Sequence, residues 1–118
     1  MPNLILNYTA NVGTHLEVPL LLKDLHDALI GLGIFKTHDI KTRALEADVY
    51  RVGDGASQYG FVHLEVHMMS IHTPEKQQLI GETLVAVLVS KLRPGLDPVN
   101  GQIRVEIIPI DPATYFSA

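Results

Sequence analysis

The chain has no cysteine and no tryptophan. The first absence rules out disulfides, thiol nucleophiles and zinc–thiolate sites. Aromatic residues make up only 6% of the 118 positions, which leaves few platforms on which nucleobases could stack. Cations are scarce as well. Nine Lys and Arg stand against 13 Asp and Glu, a net charge of −4, with no basic stripe to offset it, so a nucleic-acid partner is not expected. No apolar run approaches the ~20 residues that span a bilayer. No signal peptide is recognised ahead of Pro2, and the expected location is cytoplasmic, with no membrane partner. Against these absences, 47% apolar and 19% charged residues describe an ordinary globular protein of one domain, long enough to bury a core.

Two similar halves follow one another. Asn3 to Thr9 reads as an apolar strand. From Leu16, the apolar positions Val18, Leu21, Leu22, Leu25, Leu29 and Leu32 take the three-and-four spacing of an amphipathic helix. Thr14 and Glu17 have the spacing of a capping box, Pro19 fits a first turn, and Gly31 and Gly33 end the helix. An extended stretch from about Ile40 to Val52 closes in the turn Gly53-Asp54-Gly55. The second half repeats the plan. Tyr59 to Met69 alternates, with Val62, Leu64, Val66 and Met68 on one face. Thr73-Pro74-Glu75 opens a helix that Arg93-Pro94-Gly95 stops, and Gln102 to Ile110 forms the last strand before Asp111-Pro112. The expected fold is therefore α+β: strand–helix–strand twice, in one domain with pseudo-repeats at about 2–52 and 58–110. It forms a four-stranded sheet with both helices on one face. The other face carries His63, Glu65, His67 and Arg104 among apolar residues. It is too apolar for solvent alone and too polar for a monomer core, which points to a subunit interface.

Chemistry centres on the opening Met1-Pro2. Removal of Met1 would leave Pro2 with a free secondary amine at a strand start, where its missing N–H is tolerated. An α-amino group titrates at about 7.7–8.0, and burial or nearby cations lower that towards neutrality, where a general base works best. An acylated Pro2 has no basic lone pair, so a chain that kept Met1 would be inactive by this route. Proline at this position is also common without any function. Lys41 and Arg43, two apart on a strand, share a face that could bind a carboxylate or be merely solvated. Arg51 reads as a solvent-exposed charge. His72, just before a helix, could hold an anion with free backbone N–H groups or be an ordinary loop histidine. His63-Glu65-His67 reads as a hydrogen-bonded cluster at a subunit interface more readily than as a metal site.

Pro2 at the head of a strand, Gly33-Ile34-Phe35, Tyr59-Gly60-Phe61-Val62-His63 and Asp111-Pro112-Ala113-Thr114-Tyr115-Phe116 are spread over almost the whole chain. In order and spacing they resemble the tautomerase superfamily and, within it, the 5-carboxymethyl-2-hydroxymuconate isomerases. The resemblance implies a homotrimer with an inner barrel of three sheets and a cofactor-independent enzyme. That enzyme would interconvert enol and keto forms of small unsaturated dicarboxylates in aromatic catabolism. It casts Pro2 as the catalytic base and then acid, and Arg43, Lys41 and His72 as substrate-binding residues. Lys41 and His72 stand where the family has arginines: lysine keeps the charge without the planar fork, and a neutral imidazole does not replace a permanent cation. The same fold could instead act on a monocarboxylate enol or a haloacrylate, or serve as a non-catalytic trimeric binding protein.

Overall fold

The computed structural model describes residues 1–91 and 98–118. Four strands form one sheet in the order β2-β1-β3-β4: β1 (Asn3–Thr9), β2 (Lys41–Ala47), β3 (Val62–Met69) and β4 (Ile103–Ile110). β1 runs parallel to β2 and antiparallel to β3, and β3 runs parallel to β4. Short α1 (Ala10–Gly13) follows β1 directly, while α2 (Val18–Leu32) and α3 (Pro74–Lys91) are the two crossover helices. A further short helix, α4 (Pro98–Gly101), precedes β4. This is the α+β sheet with helices on one face that the alternation predicts.

Periodicity explains the packing. Leu4, Leu6 and Tyr8 of β1 and the alternate residues Val62, Leu64, Val66 and Met68 of β3 point to the same side of the sheet. There they form one core with Leu21, Leu25 and Leu29 of α2 and Ile80, Leu84 and Leu88 of α3. α2 begins with Pro19 in its first turn and ends where Gly33 adopts φ 70°, a left-handed cap that glycine reaches without strain. Thr73 caps α3, its hydroxyl accepting from the Lys76 amide at 3.2 Å.

Several boundaries differ from the sequence reading. Thr14 does not open a capping box: it ends α1, and its hydroxyl donates to the Asn11 carbonyl at 2.8 Å. Glu17 is the residue before α2, with no side-chain cap bond. The second strand stops at Ala47, well before Val52, and the third begins only at Val62. The expected turn at Gly53-Asp54-Gly55 is present, closed by the Gly55 amide on the Val52 carbonyl at 2.9 Å. The predicted stop at Arg93-Pro94-Gly95 lies outside the described residues.

Tyr59 and Gly60 leave the sheet because other groups claim their backbone. The Asn11 amide donates to the Tyr59 carbonyl at 2.7 Å, and the Gly60 amide donates to the Asn100 carbonyl at 2.9 Å. Thr9, fully buried, donates to Asn11 Oδ1 at 2.6 Å and accepts from the Phe61 amide at 3.1 Å. A Cβ on Gly60 would lie 2.6–2.7 Å from Val12, Asn11 and Thr9. Gly60→Ala is therefore expected to cost about 1–3 kcal/mol through overpacking of this knot. Urea unfolding measures it, and an unchanged midpoint would show that the knot can yield.

Candidate active site

The strand directions decide what meets what. The starts of β1 and β2 and the ends of β3 and β4 all lie at one end of the sheet. α2 ends at that end and α3 begins there, so Pro2, the loop after α2, Lys41, His72 and the residues after Ile110 converge.

Pro2 is buried at the head of β1, where the alternation puts its ring on the same side as Leu4. Its carbonyl accepts from the Lys41 amide at 3.1 Å, which locks the start of β1 to the start of β2. The Met1 ammonium donates to the Asp39 carbonyl at 3.1 Å. The Lys41 ammonium reaches the same oxygen at 3.4 Å. Asp39 closes a 3-10 turn (Thr37–Asp39), so a single carbonyl collects the terminal amine and the lysine side chain.

Lys41 stands beside Asn3, and Arg43 beside Ile5, on the sheet face away from the helices. Two residues of strand separate their backbone positions by roughly 6.6 Å along the chain. Both side chains are exposed in the single chain.

His72 follows β3 in the segment leading to α3. Its ring is half-buried and meets Phe35 edge to face, with centroids 5.4 Å apart and planes at 70°. Its carbonyl accepts from Gln77 Nε2 at 3.1 Å. The contact joins the loop after α2 to the one before α3. Pro2 and Lys41 are thus gathered tightly, His72 belongs to the same end, and Arg43 lies one step further along β2.

Sequence reasoning passed over two residues here. Phe35 carried part of the family likeness, but nothing in its spacing assigned it a contact with His72. The Asp39 carbonyl gives no sequence signal at all, because any residue type supplies one.

Of the β3 histidines, His67 stands opposite Asn3 at the same end as Pro2 and Lys41, while His63 lies further along the sheet, opposite Asn7. His63 Nε2 pairs with Glu106 Oε1 at 3.0 Å, and Asn7 donates to Glu65 at 3.2 Å. His67 Nε2 is 3.5 Å from Glu65 Oε1, an ion-pair distance rather than a hydrogen bond. Asn7, Phe61, His63, Glu65 and Glu106 border an open cavity of about 330 Å³. Among the described residues no three such groups converge in a way that would hold a metal ion. Arg51 donates to the Asp54 carbonyl at 2.9 Å in its own turn. Tyr8, at the far end of β1, has its hydroxyl pKa pushed up by burial first and by Glu46 and Asp48 next, so it holds its proton and supplies no base. Among the described residues no helix is long and apolar enough to cross a membrane.

The same frame recurs in known proteins. The chain is 26% identical over 88 residues to the 5-carboxymethyl-2-hydroxymuconate Delta-isomerase of Escherichia coli, covering 75% of this chain and 70% of that one. A crystal structure of a 5-carboxymethyl-2-hydroxymuconate isomerase from Deinococcus radiodurans R1 superposes with a TM-score of 0.86 at 26% identity, over 99% of this chain and 88% of that chain. A fused 4-OT symmetric trimer shares the fold at 19% identity with a TM-score of 0.71, over 98% of this chain and 91% of that one. A family model matches residues 2–117, from the buried proline to the penultimate residue, and the chain belongs to the 5-carboxymethyl-2-hydroxymuconate isomerase family, an isomerase family.

Proposed function

We propose that this isomerase is a cofactor-independent tautomerase acting on a small 2-hydroxy-unsaturated or 2-oxo acid, a dicarboxylate resembling 5-carboxymethyl-2-hydroxymuconate. The observation that supports the reading is the burial of Pro2 at the head of β1, its carbonyl held by the Lys41 amide at 3.1 Å. Once Met1 is removed, Pro2 would present a secondary amine at the buried head of β1, at the same end of the sheet as the Lys41 side chain. The amine takes a proton from the enol oxygen or an activated carbon. The double bonds shift, and the same proton returns to another carbon, so nothing is gained or lost overall. Lys41, Arg43 and His72 hold the carboxylates and oppose the charge that builds on the enolate oxygen.

The active unit is proposed to be a homotrimer in which each chain contributes one domain of two pseudo-repeats. The mixed outer face of the sheet supports this. So does an open groove of about 600 Å³ between α3 and edge strand β4, floored by Gly81, Val85, Val105 and Ile107. Phe116, a large apolar side chain left 87% exposed, does the same. A cytoplasmic enzyme of aromatic breakdown fits these properties.

The deciding experiment is the intact mass of untagged protein made in a cell with normal methionine processing, followed by a screen of enol substrates. The expected mass lacks methionine, and the expected turnover is on an unsaturated 2-hydroxy dicarboxylate. A mass that retains methionine removes the proposed base and leaves a trimeric binding protein as the better reading.

A further inference from the structure

Asn3 follows Pro2 in the chain, and its side chain lies on the sheet face away from the helices. It pairs with Lys41 of β2 on one side and His67 of β3 on the other, so ammonium, amide and imidazole form one row across the sheet. Adjacent strands lie about 4.8 Å apart, close enough for Lys41 and Asn3 to grip neighbouring atoms of one small molecule. His67 turns its Nε2 towards Glu65 at 3.5 Å and does not claim the amide. Met1 claims it instead. Asn3 Nδ2 donates to Met1 Sδ at 3.7 Å, while the Met1 ammonium holds the Asp39 carbonyl at 3.1 Å. A thioether sulfur is a weak acceptor. Among the described residues the Asn3 side chain makes no other hydrogen bond. The residue whose removal would expose the Pro2 amine is therefore also the one that occupies the Asn3 amide. Its loss leaves that half-buried amide without a partner beside the new terminus.

We infer that Asn3 is a specificity residue whose amide reads the 2-oxygen of the substrate while Lys41 holds the adjoining carboxylate. The inference rests on the Pro2 end being the substrate site. On a 2-hydroxy or 2-oxo acid the carboxylate and the 2-oxygen sit on bonded carbons, and Lys41 and Asn3 stand side by side across the two strands. An amide serves both tautomers: Nδ2 donates to a keto oxygen, and Oδ1 accepts from an enol hydroxyl. Lysine and arginine carry donors only and could serve the keto form alone. An acid without the 2-oxygen leaves both ends of the amide unpaired and is bound less well.

2-Hydroxyadipate and adipate share a six-carbon chain and two carboxylates, and differ only in the hydroxyl. Unlike a ketone, that hydroxyl cannot condense with the Pro2 amine. Calorimetric Kd values for both, on protein shown by intact mass to lack Met1, give a ratio that cancels the carboxylate contacts common to the two ligands. The wild type is expected to prefer 2-hydroxyadipate by about three- to tenfold, the worth of one hydrogen bond. Asn3→Leu, similar in size and without polar atoms, should bring the ratio close to one. Asn3→Ala should do the same, and it serves if the leucine disturbs the strand start. A ratio near one in the wild type, a preference that survives in both variants, or failure of both ligands to bind would each overturn the inference. Protein that turns over an enol through Pro2 while its ratio is indifferent to Asn3 keeps the proposed function and loses only the role of Asn3.

Discussion

Insertion of one alanine between Met1 and Pro2 is expected to lower turnover by a factor of about 10²–10⁴, the usual contribution of a positioned general acid–base group. The insertion converts the Pro2 amine to an amide, which has no basic lone pair at any accessible pH. The structure argues that folding survives the change. It already accommodates a residue ahead of Pro2, with the Met1 ammonium on the Asp39 carbonyl and the Pro2 carbonyl still bonded to Lys41. Circular dichroism and native mass should therefore match the wild type while the rate collapses. Pro2→Ala is the informative companion, because it retains an amine, though a primary one, and loses the ring that holds it. Its rate should fall between wild type and the insertion. Equal activity in all three proteins would place the base elsewhere.

Leu64→Ala is expected to have the largest effect on stability, about 2–5 kcal/mol. Leu64 is 0% exposed on β3, the strand that joins the two halves. It lies beside Leu6 on β1 and Val105 on β4, under the helices that cover the sheet. Truncation removes its burial and leaves a cavity that a sheet, held by its hydrogen bonds, cannot collapse to fill. Against a total of about 5–15 kcal/mol for a domain, such a loss brings the chain close to unfolding at ambient temperature. A lowered urea midpoint at unchanged slope is the expected signature. A loss well under 1 kcal/mol would mean that the neighbouring side chains repack.

The places where the sequence was easy to read share a physical cause. Alternation on β3 and helical spacing on α2 and α3 are demands of a single hydrophobic core, so they appear in every residue of those segments. Pro19, Gly33 and Thr73 also read correctly, because a missing N–H, a positive φ and a side-chain oxygen act on adjacent backbone. Thr14 and Glu17 misled for the converse reason. Their spacing suits a capping box, but the chain makes a separate helical turn after β1, and Thr14 ends it. Similarly, Tyr59 alternates like a strand yet loses its carbonyl to Asn11, a partner 48 positions away in sequence. At the site, the shared face of Lys41 and Arg43 follows from strand geometry. The meeting of Phe35 with His72 and the gathering role of the Asp39 carbonyl depend on how the two crossovers close, which no local pattern records.

β1 precedes β2 and β3 in the chain, yet its place is inside the sheet, between them. It cannot take that place until Lys41–Ala47 and Val62–Met69 exist. At ~5–20 residues per second, translation through Met69 takes roughly 3–14 s. During that interval the amino terminus is open to a methionine-removing peptidase, and once Pro2 is buried the opportunity closes. On the proposed chemistry, each subunit's competence is settled by a race on the ribosome. On that same chemistry, a chain that folded before the removal would keep Met1 on the Asp39 carbonyl and lack the Pro2 amine.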